Sequence, residues 1–121
     1  MEVVIKVVLF IFSPLEEAGG TSRVYRALFG AKELRESGVE VAAVFDGSGT
    51  EALAAMSEPS HRLHQLLEEV RPQVAGACRF CAQSHGVKPQ IEAAKFPLLG
   101  DYHGHTSLAK YVMDGYQVIT Y

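Results

Sequence analysis

Cysteine is scarce in this chain, with two residues in 121, Cys78 and Cys81. The loop they can close is too short to constrain the unfolded chain, so a disulfide framework is excluded. Reduced thiols and a cytoplasmic location are the expectation. Long apolar runs are missing as well. The stretch MEVVIKVVLFIF is acidic at Glu2, interrupted at Lys6 and followed by no small-residue cleavage site, which argues against a secretory signal. At about ten residues it is also too short for a bilayer span. Neither sign of charge prevails: 11 Lys and Arg face 14 Asp and Glu, a formal net charge of -3, so no nucleic-acid or membrane partner is expected. Also lacking are G-K-[ST], G-x-G-x-x-G, a serine-histidine-acid order and an obvious carboxylate pair, which leaves no signature of phosphate binding or hydrolysis.

What is present reads as one domain, residues 1–121, with a single core. Val3 to Phe12 is rich in Val, Ile and Phe without alternation, as in a strand covered on both faces of a parallel sheet. Thr21 is placed to cap a helix to about Ser37, with Val24, Leu28, Ala31 and Leu34 or Arg35 as its inward stripe and Gly38 as its stop. Val39 to Phe45 reads as a second strand and Asp46 to Gly49 as a turn. Thr50 is placed to cap a short helix to Met56, and Leu63, Leu66, Leu67 and Val70 recur at helical spacing up to Arg71. A third strand, Gln73 to Ala77, leads to Cys78. A helical turn over 79–85, a helix over 91–95, a short strand over 97–99, a helix over 107–113 and a last strand over 116–121 complete the chain. Such alternation predicts an α/β fold: a three-layer α/β/α sandwich, flavodoxin-like, with a mostly parallel sheet of about five strands. Its working groups are expected at the carboxyl edge, where Ser13 to Gly20, Asp46 to Thr50 and the cysteine loop collect.

The segment GACRFCAQSHGV, residues 76–87, carries the chemistry that the sequence suggests. Cys78 falls at a strand end and Cys81 in the first turn of the following helix, where unpaired N–H groups favour a thiolate and Arg79 can add positive charge. Four readings stand: dithiol exchange, a metal site, sulfur transfer, or plain packing of two small core residues. A thioredoxin-type pair comes early in its fold, whereas this one follows two strands and three helical segments. Cys78, Cys81, His85, His103 and His105 include enough ligands for zinc. Their spacing, C-x2-C-x3-H and then H-x-H, is not that of a zinc finger. His61 and His64 form a separate helical pair. The glycines of EEAGGTS and DGSGT read as loops with threonine caps. His103 and His105 lie in a loop before the last helix, where a parallel sheet's loops can converge on its working edge, or read as plain exposed loop residues; they are kept out of the catalytic set.

The buried first strand, VAAVFDGSGT at the end of the second, CRFCAQSHGV after the third and the closing SLAKYVMDGYQVITY together resemble the DsrE/DsrF-like family, which includes the TusD-type sulfur-relay subunits. The H-x-H of DYHGHTS has no counterpart in that resemblance. It implies a small α/β domain that assembles as a trimer or hexamer, with sulfur carried as a persulfide on Cys78 and with Cys81 as the second cysteine that some members possess. The expected function is a persulfide carrier or sulfurtransferase whose site comprises Cys78, Cys81 and His85. His85 is expected to orient a thiol or supply a proton. No cofactor or metal is expected, and the partners are copies of the chain and sulfur donor and acceptor proteins. The alternative is a non-catalytic oligomeric module, with Tyr116 and Tyr121 at its interface, or a zinc-binding protein.

Overall fold

The computed structural model describes residues 3–121. The elements run β1 (Lys6–Ile11), α1 (Gly20–Glu36), β2 (Glu40–Phe45), α2 (Gly49–Met56), α3 (His64–Val70), β3 (Val74–Cys78), α4 (Arg79–Ser84), α5 (Lys88–Ala93), β4 (Leu98–Leu99), α6 (Leu108–Met113) and β5 (Gln117–Thr120). All strand pairs are parallel, in the order β4-β3-β2-β1-β5.

That order dictates the layers. From β1 to β4 the chain steps across the sheet in one direction, so right-handed crossovers place α1 to α5 on the same face. Val7, Leu9 and Ile11 of β1 and Phe45 of β2 pack there against Val24 and Leu28 of α1, Leu53 of α2, Leu67 of α3, Ala82 of α4 and Ile91 of α5. To set β5 beside β1 the chain must then travel back across the sheet, and α6 falls on the opposite face. Val8, Phe10 and Val44 meet Tyr111 of α6 in a second, smaller core. The result is the expected three-layer, flavodoxin-like α/β/α sandwich. One layer is thin: Leu108, Val112 and Met113 of α6 and Val118 and Ile119 of β5 remain exposed.

The local differences from the sequence reading have physical causes. β1 begins at Lys6 rather than Val3, because β2 begins at Glu40, the partner of Lys6. Val3 to Ile5 are exposed, and Met1 and Glu2 lie outside the described residues. Neither Thr21 nor Thr50 caps a helix. Both sit inside helices that start on glycine, and their hydroxyls donate back to Leu15 O (3.1 Å) and Gly47 O (2.8 Å). Glycine is required at those starts: a Cβ at Gly20 would lie 1.9 Å from Pro14 O, and one at Gly49 the same distance from Ile11 O. α5 starts at Lys88, three residues before Ile91, with Pro89 in its first turn, where a missing N–H is tolerated.

Tyr116 and Tyr121 pack within their own chain. Tyr116 stands edge-on to Tyr111, with ring centroids 5.1 Å apart, and its hydroxyl donates to Glu40 Oε2 at 2.7 Å. That bond to a carboxylate pushes its pKa up to about 12. Tyr121 lies against the larger core and pairs with Phe10 and Phe12 through its backbone. Among the described residues no helix is long and apolar enough to cross a membrane.

Candidate thiol site

Three segments meet at the carboxyl edge of β2 and β3. β3 ends in Cys78, whose backbone turns directly into α4, and Cys81 follows one helical turn later, so both sulfurs face the same side. β2 ends at Phe45, and Asp46 in the turn beyond it accepts a hydrogen bond from the Cys81 thiol, Sγ to Oδ1 3.3 Å. The third segment begins the return journey from β4 to α6. Tyr102 and His105 exchange backbone hydrogen bonds of 2.9 and 2.8 Å, and between them His103 and Gly104 both have positive φ, 49° and 85°. This is the signature of a type I′ turn. The turn projects His105 onto Cys78, with Nδ1 3.4 Å from Sγ.

The loop is tied from several sides. Phe80 N–H donates to Gly104 O at 3.0 Å, Ser107 N–H donates to Asp101 Oδ1 at 3.0 Å, and the Ser107 hydroxyl caps α6 by accepting from Lys110 N–H. The Phe80 ring lies over the His105 imidazole, centroids 4.4 Å apart. The Arg79 guanidinium occupies the space that a side chain at Gly100 would fill, so it braces the loop. The expected stabilisation of a thiolate by the helix start is therefore curtailed. α4 has six residues, and one of its first-turn N–H groups is engaged by Gly104.

The two thiols differ. Cys78 is fully buried, Cys81 is partly exposed, and neither is in a disulfide. The Cys81 pKa is pushed up to about 12, chiefly by burial, then by hydrogen bonding to Cys78 and by the Asp46 carboxylate, against an opposing Gly47 N–H. Cys81 is thus a proton holder at neutral pH.

Of the residues expected in the site, Cys78 and Cys81 come together and His85 does not join them. His85 lies at the far end of α4, where Nδ1 pairs with Glu51 Oε2 of α2 at 2.6 Å. It stitches two helices at the surface, a type of contact worth about 0–1 kcal/mol. His103 is exposed at the turn tip against Tyr102, and His64 bonds Met56 O at 2.9 Å, remote from the cysteines. The histidine that does meet Cys78 is His105. The signal for it was the dipeptide His103-Gly104, a sequence suited to positive φ at both central positions of a turn. Asp46, read from sequence as a turn residue at the same sheet edge as the cysteine loop, is the other member, and its hydrogen bond from Cys81 is what the pattern did not reveal.

Comparison with known proteins places the chain. Over 115 residues it is 32% identical to the Uncharacterized protein MJ0733 of Methanocaldococcus jannaschii, covering 94% of this chain and 93% of that one. The chain belongs to the MJ0733 family. No family model matches it. A solved structure, a conserved protein of unknown function, BT1422, from Bacteroides thetaiotaomicron, is similar with a TM-score of 0.66. It has 12% identity, covering 96% of this chain and 94% of that one, a likeness of fold.

The Asp46–Cys81 contact leads to a measurable outcome. A thiol whose pKa is raised loses tenfold in thiolate for each pH unit below that pKa. In metal-free protein, alkylation of Cys81 followed by peptide mapping is expected to climb without levelling up to about pH 11, well beyond the ordinary thiol range near 8.5. Asp46→Asn is expected to speed that labelling at every pH below the plateau, with burial still holding it behind a free thiol. A plateau at about pH 9 in the parent protein would mean that the carboxylate does not hold the proton.

Proposed function

We propose that this protein is a cytosolic sulfane-sulfur carrier of the DsrE-like type, and a sulfurtransferase when donor and acceptor are both thiols, with Cys78 as the sulfur-bearing residue. The observation that carries this reading is the contact between Cys78 Sγ and His105 Nδ1 at 3.4 Å, beside a second thiol that keeps its proton. A cysteine needs a base to become a nucleophile, and an imidazole within hydrogen-bond reach is the usual one.

The chemistry balances without a redox partner. His105 takes the Cys78 proton, and the thiolate attacks the outer sulfur of a donor R–S–SH. The S–S bond of the donor breaks as the new Cys78 S–S bond forms, and R–S⁻ leaves with the proton held by His105. Cys78–S–SH then delivers its outer sulfur to an acceptor thiol by the reverse sequence. If Cys81 attacks instead, a Cys78–Cys81 disulfide forms, hydrogen sulfide leaves, and an external dithiol must reduce the bridge before another cycle. Asp46 holds the Cys81 proton and so restrains this side path. Cys78 is buried, so sulfur entry requires displacement of the turn over it. Self-assembly belongs to the same reading: α6 and the edge strand β5 present Leu108, Val112, Met113, Val118 and Ile119 to solvent, an apolar face suited to further copies of the chain.

The test is intact-mass analysis after exposure of reduced, metal-free protein to a low-molecular-weight persulfide. The parent is expected to gain one sulfur atom per chain, Cys81→Ser to gain it and keep it longer, and Cys78→Ser to gain none. A gain that persists in Cys78→Ser and disappears in Cys81→Ser overturns the assignment of roles, and no gain in the parent overturns the reading.

A further inference from the structure

The same convergence has a second capacity that does not depend on sulfur transfer. We propose that Cys78, Cys81 and His105 form a binding site for one zinc-class divalent ion, with the fourth coordination position left to a small exogenous ligand. The two sulfurs and an imidazole nitrogen lie within 4.8 Å of one another. With metal–sulfur bonds of about 2.3 Å and metal–nitrogen bonds of about 2.0–2.1 Å, the edge of a tetrahedral site between S and N is roughly 3.5 Å. The Cys78–His105 separation of 3.4 Å matches that edge.

The way the ligands are held suits the role. Cys78 and Cys81 are fixed by a strand end and one helical turn, a short-range pair whose sulfurs share a side. His105 comes from a separate loop pinned by the Tyr102–His105 backbone bonds and the Phe80–Gly104 bond. Two segments distant in sequence thus supply a pair and a single ligand, as in many zinc centres. Charge also balances: two thiolates neutralise a divalent ion, so the cluster, with Cys78 buried and the other two ligands partly exposed, carries no net charge when filled. Thiolates with imidazole favour zinc and its soft neighbours over magnesium or calcium, which need oxygen ligands. Asp46 stands beside Cys81 and not beside all three ligand atoms. It is therefore placed outside the coordination sphere, where it can accept a hydrogen bond from a water in the open position. Because the ion engages the Cys78 sulfur, ion-loaded and sulfur-loaded forms exclude each other.

The experiment uses the full chain, reduced and stripped of metal with a chelator, then titrated with Zn²⁺ against a chromophoric chelator and separately with Co²⁺. One equivalent is expected to bind, with a thiolate-to-cobalt charge-transfer band and the intense visible bands of four-coordinate cobalt. Cys78→Ser, Cys81→Ser and His105→Ala are each expected to weaken binding by more than about a hundredfold, beyond what loss of an outer partner costs. His85→Ala and His103→Ala are expected to bind as the parent does. Thermal unfolding of each metal-free variant separates loss of a ligand from loss of the fold, and His105→Asn provides a second, less disruptive change at the loop. Absence of stoichiometric binding, or binding that survives His105→Ala and the serine variants, overturns the site. The sulfur reading is scored separately on metal-free protein: sulfur uptake with no ion binding sinks this inference alone, and ion binding with no uptake supports it while sinking the other. An ion-loaded protein that still gains sulfur on Cys78 overturns the site as drawn.

Discussion

Replacing His105 with alanine is expected to slow sulfur loading of Cys78 by about 10²–10⁴-fold, the usual contribution of a positioned general base. The imidazole is the base within hydrogen-bond reach of Cys78, at 3.4 Å, and the backbone bonds that form its turn do not need the side chain. The loss should therefore be chemical, with little change in the unfolding midpoint. His105→Gln preserves the bulk and a hydrogen bond without the basicity, and is expected to behave as alanine does. His85→Ala and His103→Ala should load at the parental rate, since one residue pairs with Glu51 and the other lies against Tyr102. Parental loading by His105→Ala, measured by intact mass over time, would remove His105 from the mechanism.

The contrast between His85 and His105 marks where a single sequence is readable. The unalternating apolar run of β1, the helical spacing of Val24, Leu28 and Ala31, and the strand-to-helix position of Cys78 are local patterns, and each predicted its element. His85 was attractive because it is near Cys81 along the chain. On a six-residue helix its side chain points to the neighbouring α2 instead. His105 is 27 residues from Cys78, and the two meet because the chain must cross back over the carboxyl edge to place β5 beside β1. That requirement belongs to the strand order β4-β3-β2-β1-β5, which no local periodicity encodes. Asp46 was hidden for a similar reason: in a turn it reads as a turn-former, and its second role appears only when β3 is laid beside β2. The thinness of the layer over the sheet is likewise not encoded locally: the apolar last strand is compatible in sequence with either an interface or ordinary core, and α6 and β5 look as apolar as elements packed on both sides.

The same long-range argument gives the largest expected effect on stability. Gly76 lies in β3 with φ +146°, where the strand carries one residue more than β2: Ala43 pairs with Val74, while the next residue, Val44, pairs with Gly76. Such a bulge changes which face the following residues address, and here those residues end in Cys78. A Cβ at Gly76 would lie 2.3 Å from Pro97 O, the carbonyl that accepts the 2.9 Å bond from Ala77 N–H and holds β4 to β3. Gly76→Ala therefore combines a disfavoured φ with a backbone clash that the rigid Pro97 carbonyl cannot evade. It is expected to cost roughly 2–5 kcal/mol, read as a lower urea midpoint. Gly115→Ala is the control, because Gly115 also has positive φ (+85°) but has open space where a Cβ would go. It should pay the conformational part alone, about 1–2 kcal/mol. Gly76→Ala is therefore expected to cost clearly more than Gly115→Ala, because both the clash and the more restricted φ of +146° add to it. Displacing Pro97 also shifts β4 and the 100–107 loop that follows it, so folded Gly76→Ala should lose sulfur loading and zinc binding together. Full stability in Gly76→Ala would mean that β4 does not depend on that carbonyl, and that His105 is positioned by the loop's own bonds.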